Sequence, residues 1–383
     1  MELTVLIPCL NEADTVGVCV RQARETLGRL GIDGEVLVAD NGSTDGSPDI
    51  ALAAGARVVP VRVRGYGSAL MGGIEAARGE FIVIGDADDS YDFGELGALV
   101  EKLRQGFELV QGCRLPRGGG TILPGAMPGP HRWWGNPMFT WLAQWWFGSP
   151  VHDIYCGLRA FRKELIKGLD LRCTGMEFAA EMVIKASLSG ARITEAPVTL
   201  RPDGRKSHRS HLNTFRDGWR TLRIFLLYTP RWLFLVPGVG LILLGLLGYA
   251  LALPGVTVWG ATLDAHTLLF ASLALLTGYQ SMLFAAMTMT FTVQAGLLPR
   301  DERWERLFGV ATLERGLAVG GVALVAGLLL LLIAVNQWRL ADFGPLNYAR
   351  TMRVVIPGAT LSTLGVQTIL SSFFLSLLRL HRR

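Results

Sequence analysis

The sequence predicts an α/β domain built on a mostly parallel sheet, followed by an all-α domain of four transmembrane helices. Short apolar runs that end in acidic or turn residues alternate with helical stretches in the first part of the chain. Four long runs without a charged residue fill the rest, and arginines gather at their ends. The 383 residues are enough for two domains, and half of them are apolar.

Leu3–Pro8, Glu35–Ala39, Arg57–Val61 and Glu80–Gly85 read as strands. Helical stretches near Ala13–Leu30, Asp45–Ala54 and Gly67–Arg78 lie between them. This alternation implies parallel neighbours with helices on both faces. Ligands of such sheets bind beyond the carboxyl ends of the strands. The notable polar residues of this half fall at those ends.

Trp232–Leu263, Thr267–Leu298, Gly316–Trp338 and Val354–Leu378 each exceed the roughly 20 apolar residues needed to cross a bilayer core. Arginine placement orients them. Arg201–Arg231 precedes the first span, Arg300, Arg303, Arg306 and Arg315 follow the second, and Arg379, Arg382 and Arg383 end the chain. The first interhelical loop has no Lys or Arg. The positive-inside rule therefore puts the N-terminal domain, the middle loop and the C-terminus in the cytoplasm. Arg339, Arg350 and Arg353 run against this pattern without reversing it.

A pI near 9.1 could indicate nucleic acid, but the basic residues form no long run. They gather between Arg201 and Arg231, just before the first span, so a membrane surface is the expected partner and nucleic acid is not. The five cysteines (Cys9, Cys19, Cys113, Cys156 and Cys173) are odd in number and contain no C-x-x-C pair. That argues against a disulfide framework or structural zinc and for a reducing compartment. The chain opens directly on a strand-like run, so no signal peptide is expected.

Strand one ends in Pro8-Cys9-Leu10-Asn11-Glu12, where Asn11 could simply cap a helix. Strand two ends in Asp40-Asn41-Gly42-Ser43-Thr44-Asp45-Gly46-Ser47; this could be a turn, or Asp40 could accept from a nucleobase. Strand four runs into Asp86-Ala87-Asp88-Asp89-Ser90-Tyr91-Asp92. Four carboxylates in seven residues repel one another unless a cation neutralises them. The D-x-D spacing suits Mg²⁺ or Mn²⁺ shared with substrate phosphates. An EF-hand lacks its Gly and its terminal Glu here. Arg64-Gly65-Tyr66-Gly67-Ser68 could meet phosphate at a helix N-terminus or serve only helix packing. Trp133, Trp134, Trp141, Trp145 and Trp146, beside His131 and Arg132, suit a membrane-interface helix. His208 and His211 read as solvated or headgroup-facing.

The ordered set P-x-x-N-E, D-N-G-S-T-D-G-S and D-A-D-D-S-Y-D, each after a strand, resembles the family 2 glycosyltransferases of GT-A fold. Asp153-Ile154-Tyr155-Cys156-Gly157-Leu158-Arg159-Ala160-Phe161 is similar to the D-x-x-S-G-F-R segment of dolichol-phosphate mannose synthases and bacterial polyprenyl-phosphate relatives. Gly175-Met176-Glu177-Phe178 with Glu181, and Arg201-Pro202-Asp203-Gly204-Arg205-Lys206-Ser207, resemble the segments that follow. The resemblance covers about residues 3–210. It implies that Pro8, Leu10, Glu12, Asp40 and Ala87 hold the nucleotide sugar. Asp86 and Asp88 would serve metal and diphosphate, with Ser90 where the synthases carry a Gln ligand. Arg201 is implied at the donor phosphates, and Arg159, Arg205 and Lys206 at the lipid phosphate. Asp153 would join Asp88 as a catalytic residue, on the acceptor side. Cys156 replaces the Ser of D-x-x-S-G-F-R, and His208 stands at the final Lys of the R-x-x-G-x-S-K segment that Arg201–Ser207 resembles.

The expected organisation is a cytoplasmic GT-A domain over 1–211, a basic amphipathic helix over 212–231 and a four-helix membrane domain over 232–383. The expected reaction is inverting transfer of a sugar from a nucleotide diphosphate to a polyprenyl phosphate, with an oligomer compatible. A processive polysaccharide synthase would carry Q-x-x-R-W before its pore helices, and the sequence has none. A non-catalytic lipid-binding or transport protein would not need the Asp86/Asp88 pair.

Overall fold

The computed structural model describes residues 1–206, 214–296, 298 and 312–380. His208, His211, Arg300, Arg303, Arg306, Arg382 and Arg383 lie outside them. Two compact units are present, Met1–Phe225 and Leu226–Arg383.

In the first unit, β1 (Leu3–Cys9), β2 (Gly34–Asp40), β3 (Arg57–Pro60) and β4 (Phe81–Ile84) are parallel neighbours in the order β3-β2-β1-β4. Every residue of β1 is buried, as expected where helices cover both faces of a parallel sheet. The helices between are α1 (Val16–Leu30), α2 (Ser47–Ala53) and α3 (Tyr66–Ala76). Gly31, at φ 62°, ends α1 by returning backbone N–H groups to its last turn. The sheet then continues through β5 (Leu109–Cys113), β7 (Arg159–Arg162) and β8 (Ile193–Pro197), while β6 (Thr121–Ile122) and β9 (Thr199–Leu200) form a small separate pair. Strand β7 runs antiparallel between β4 and β5, the one reversal in this sheet. Helices α4 (Leu96–Arg104), α5 (Asn136–Phe147), α6 (Lys163–Leu169), α7 (Phe178–Leu188) and α8 (Thr214–Leu227) complete this half.

Phe225 of α8 packs edge-on against Phe139 and Phe147 of α5. The opposite faces of these helices are open. Trp133 and Trp134, in the wide turn leading into α5, are 71 and 79% exposed, and Phe215 of α8 is 90% exposed. Trp141, Trp145 and Trp219 are also exposed. An aromatic face of this kind suits a bilayer interface.

The second unit holds α9 (Val236–Ala252), α10 (Ala265–Gln294), α11 (Leu313–Leu340) and α12 (Tyr348–Leu380). Four segments are long and apolar enough to cross a membrane: Arg231–Ala252, Ala265–Gln294, Leu313–Leu340 and Tyr348–Arg379. The first stops eleven residues short of the expected Leu263 (263 − 252). Pro254 and Gly255, the latter at φ 74°, turn the chain into a β-hairpin with Thr257–Val258 paired to Ala261–Thr262. The helices pair through glycine. A Cβ on Gly238 would lie 2.9 Å from the Gly278 carbonyl, and one on Gly320 2.9 Å from that of Gly365. Tyr249 shares hydrogen bonds with Ser272 and Thr360. Arg353, one of the arginines that oppose the expected orientation, is paired with Asp264 at 3.0 Å.

Candidate active site

Because β1, β2 and β4 are parallel, the loops after them emerge at one edge, and hydrogen bonds lock the first two together. Asn11 N–H donates to Ser43 Oγ at 2.9 Å, Glu12 N–H to Ser47 Oγ at 2.8 Å and Ala13 N–H to Asp45 at 2.9 Å. Thr44 N–H returns a bond to Asn11 Oδ1 at 2.8 Å. Asn11 does not cap the helix, which begins after Thr15; its φ of 59° turns the chain so that the two motifs interlock. Pro8, Glu12, Asp40 and Ala87 are buried and Leu10 is half-buried. The Asp40 carboxylate accepts from Gly42 and Ser43 N–H, which fixes its orientation.

Asp86 and Asp88 follow β4 at the same edge. Asp86 Oδ1 accepts from the Tyr66 hydroxyl at 3.1 Å. Burial, and then the charge of Asp88, push its carboxyl up to about 6. Asp88 Oδ1 accepts from Ser90 Oγ at 2.6 Å and from Ser90 N–H at 3.1 Å, so Ser90 supports the carboxylate. Asp88 Oδ2 faces Arg205 at 3.1 Å. The Arg205 guanidinium also grips Glu12, at 2.6 to 3.0 Å. The 201–206 segment lies over this edge: Arg201 N–H donates to Ser90 O, Gly204 N–H to Asp88 O, and Lys206 N–H to Asp14. The Arg201 side chain pairs with Asp92, and that of Lys206 is exposed.

Two expected contacts are corrected. Asp153 has no exposed surface; both its oxygens are taken by Arg114, at 2.7 and 2.8 Å. Its carboxylate fixes the Arg114 side chain. Arg159 is 2% exposed and donates to the carbonyls of Ala179 and Cys156, so it braces the chain interior instead of meeting a headgroup. Glu181 accepts from the N–H groups of Arg172 and Cys173 and is structural. The cysteines are free, and burial raises their thiol pKa values, which leaves them unreactive.

A cavity of about 550 Å³ opens beside Asp86 and Asp88. Tyr66, Ser90, Arg114 and Arg205 line it, together with Met127, Phe139 and Tyr155 and with Asp217, Gly218 and Thr221 of α8. Arg114 was not legible as a site residue. Burial opposes its charge, but Asp153 outweighs that and holds its pKa well above the ordinary value. Arg114 is thus a permanent cation at the cavity wall, held in place by Asp153.

A sheet edge of carboxylates beneath a half-polar cavity, on a chain with four membrane-spanning helices, defines a membrane-bound glycosyltransferase. The profile described as "Glycosyl transferase family 2" matches residues 4–169, and "Glycosyltransferase family 2 C-terminal transmembrane region" matches 286–379. The low-salt glycan biosynthesis hexosyltransferase Agl6 of Haloferax volcanii is 37% identical over 97% of this chain and 88% of its own. The chain belongs to glycosyltransferase family 2. A dolichyl-phosphate hexose transferase of the same organism is 33% identical over 52% of this chain and 83% of its own. The undecaprenyl-phosphate 4-deoxy-4-formamido-L-arabinose transferase of Klebsiella pneumoniae is 31% identical over 51% and 59%.

Proposed function

We propose that the enzyme transfers a hexose, with inversion, from a nucleotide diphosphate to a polyprenyl phosphate at the cytoplasmic membrane face. The observation that carries this reading is the cavity beside Asp86 and Asp88, whose lining joins cationic side chains, Arg114 and Arg205, to apolar ones, Met127, Phe139 and Leu200. Relatives named for dolichyl and undecaprenyl phosphate support the acceptor class.

Glu12 and Asp40 take the nucleoside at the β1 and β2 ends. Asp86 and Asp88 fit a divalent cation: two carboxylates converge, and a guanidinium already stands against Asp88. When bound, such a cation supplies charge stabilisation for the departing diphosphate. Arg114, oriented by Asp153, faces the acceptor phosphate, and Arg201 and Lys206 stand near the phosphates of either substrate. The acceptor oxygen forms its bond to the anomeric carbon as the bond to the diphosphate breaks, and the nucleoside diphosphate leaves with the electron pair. A lipid phosphate is already anionic at neutral pH, so no side chain need remove its proton. The test is release of nucleoside diphosphate from a panel of nucleotide sugars, with and without short polyprenyl phosphates. Release that does not depend on the lipid would overturn the acceptor assignment.

A further inference from the structure

Tyr66 opens α3, in a segment whose sequence pointed to phosphate binding or helix packing; the structure gives it another partner. The backbone there is immobilised from two sides. Gly65 N–H donates to Asn41 Oδ1 at 2.7 Å, and Asn41 in turn donates to the carbonyls of Val61 and Val63. On the other side, a Cβ on Gly65 would stand 2.2 Å from Thr174 O, and one on Gly67 2.2 Å from Cys173 O. Gly65 has φ 135°, a conformation that L side chains rarely adopt. Only glycine allows this approach, and the result is a helix start with no freedom to shift. Tyr66 leaves that start with its hydroxyl 3.1 Å from Asp86 Oδ1, and its phenol is held neutral by burial and by Asp86.

The other oxygen of Asp86 is also confined. A Cβ on Gly157 would lie 2.3 Å from Asp86 Oδ2 and 3.1 Å from the Tyr91 ring. Gly157 itself is pinned by donating its N–H to the Tyr91 hydroxyl at 2.9 Å. Asp86 thus sits between two tyrosines, one bonded to Oδ1 and one fixing the backbone beside Oδ2. Asp88 differs: its Oδ2 faces a guanidinium from a separate segment.

We propose that Tyr66 is a positioning residue of the donor site, holding Asp86 in the one carboxylate orientation that meets the donor. This rests on the donor-site reading above. In this proposal Tyr66 acts through Asp86. Removing its hydroxyl frees the carboxylate to rotate, while the Phe ring keeps the packing.

The experiment is a double-mutant cycle with Tyr66→Phe, Asp86→Ala and the pair in the full-length membrane enzyme. It measures kcat, donor and acceptor KM, and Mn²⁺ with nucleoside diphosphate binding by electron paramagnetic resonance. Tyr66→Phe should lower kcat by about tenfold, the value of one lost orienting hydrogen bond. Acceptor KM should stay within about twofold. In the Asp86→Ala background, which has no acceptor for the hydroxyl, Tyr66→Phe should have no further effect. The Mn²⁺ spectrum with nucleotide should broaden in Tyr66→Phe, a change that a loss of packing alone would not produce. Additive losses, or a wild-type kcat in Tyr66→Phe, would overturn the proposal. Wild-type enzyme that shows no cation-dependent nucleotide binding would instead overturn the donor-site reading.

Discussion

Arg205 Nη1 lies 3.1 Å from Asp88 Oδ2, and the same guanidinium holds both oxygens of Glu12. One cation therefore joins the end of β1 to the end of β4. Its side chain is 11% exposed and that of Glu12 5%, so this is a buried pair whose disruption costs about 3 kcal/mol. Arg205→Gln should melt clearly lower than wild type in EDTA. Mn²⁺ with nucleoside diphosphate should restore most of the loss, because ligands of the folded state stabilise it by mass action. Thermal melts with and without ligand check this; an equal deficit in both would show that the carboxylates are not the donor and cation site.

Asp86 carries a pH signature. Its folded-state pKa is raised to about 6 by burial and by Asp88, above the usual carboxylate value of about 4. Between those values the folded protein keeps a proton that the unfolded chain releases, so stability falls as pH rises through the window and stays low above it. Asp86→Asn cannot ionise. In EDTA it should melt above wild type at about pH 7.5 and level with it at about pH 4. The measurement is a melt at each pH, and a constant difference across both would contradict the assignment.

The strands up to β4, and the acidic motifs at their ends, were legible because parallel strands carry their own apolar runs and end in turn residues. Strand β7 was not. Arg159–Arg162 reads as a motif, and only its antiparallel pairing with Ile84 and Gln111 makes it a strand. The Arg114–Asp153 pair joins residues 39 apart, a distance over which no sequence periodicity speaks. Asp153 was therefore visible as a motif residue but not as the buried partner of an arginine. Tyr66 was read for the glycines around it, and its hydroxyl contact with Asp86 needed the fold. Trp133 and Trp134 were read as interfacial because large aromatics beside a basic pair match the half-apolar, half-polar character of a bilayer surface; both are exposed, which rules out the alternative of core packing.

The orientation proposed for the membrane spans rests on the arginines. Pro254–His266 and Arg339–Arg353 should face outward, with both termini inside. A cysteine introduced at Gly260 should react with an impermeant maleimide in intact cells, and one at Glu305, outside the described residues, should react only after permeabilisation. Arg353, which runs against this pattern, is paired with Asp264 at 3.0 Å. The reverse labelling pattern would separate the site from its donor.

Arg216, Arg220 and Arg223 recur along α8 at helical spacing, and Arg216 and Arg223 are exposed while Thr221, Ile224 and Phe225 are buried. Replacing all three arginines with Gln should weaken binding to anionic vesicles, with each charge worth about 1 kcal/mol at the surface. The apparent KM for lipid phosphate should rise severalfold while donor KM barely moves. Vesicle flotation and steady-state kinetics test this together. An equal rise in both KM values would assign the arginines to the fold or to the donor.

Asp88 bears most on the proposed chemistry, because its Oδ2 is the carboxylate oxygen held by a charged partner instead of a neutral one. Asp88→Asn keeps the size of the side chain and its ability to accept from Ser90, and removes the charge. The loss should be about 3 kcal/mol of transition-state stabilisation, roughly a hundredfold in rate, as for one strong electrostatic contact at a reacting centre. Nucleotide binding should lose its dependence on Mn²⁺ in parallel. Stability should change less than in Arg205→Gln, since Arg205 still has Glu12 as a partner and the repulsion between Asp86 and Asp88 is gone. Transfer rate, Mn²⁺-dependent nucleotide binding and a thermal melt on the same preparation separate these effects. A folded variant with wild-type rate and wild-type metal response would remove Asp88 from the site, and the cation-assisted reading of the sheet edge would fall with it.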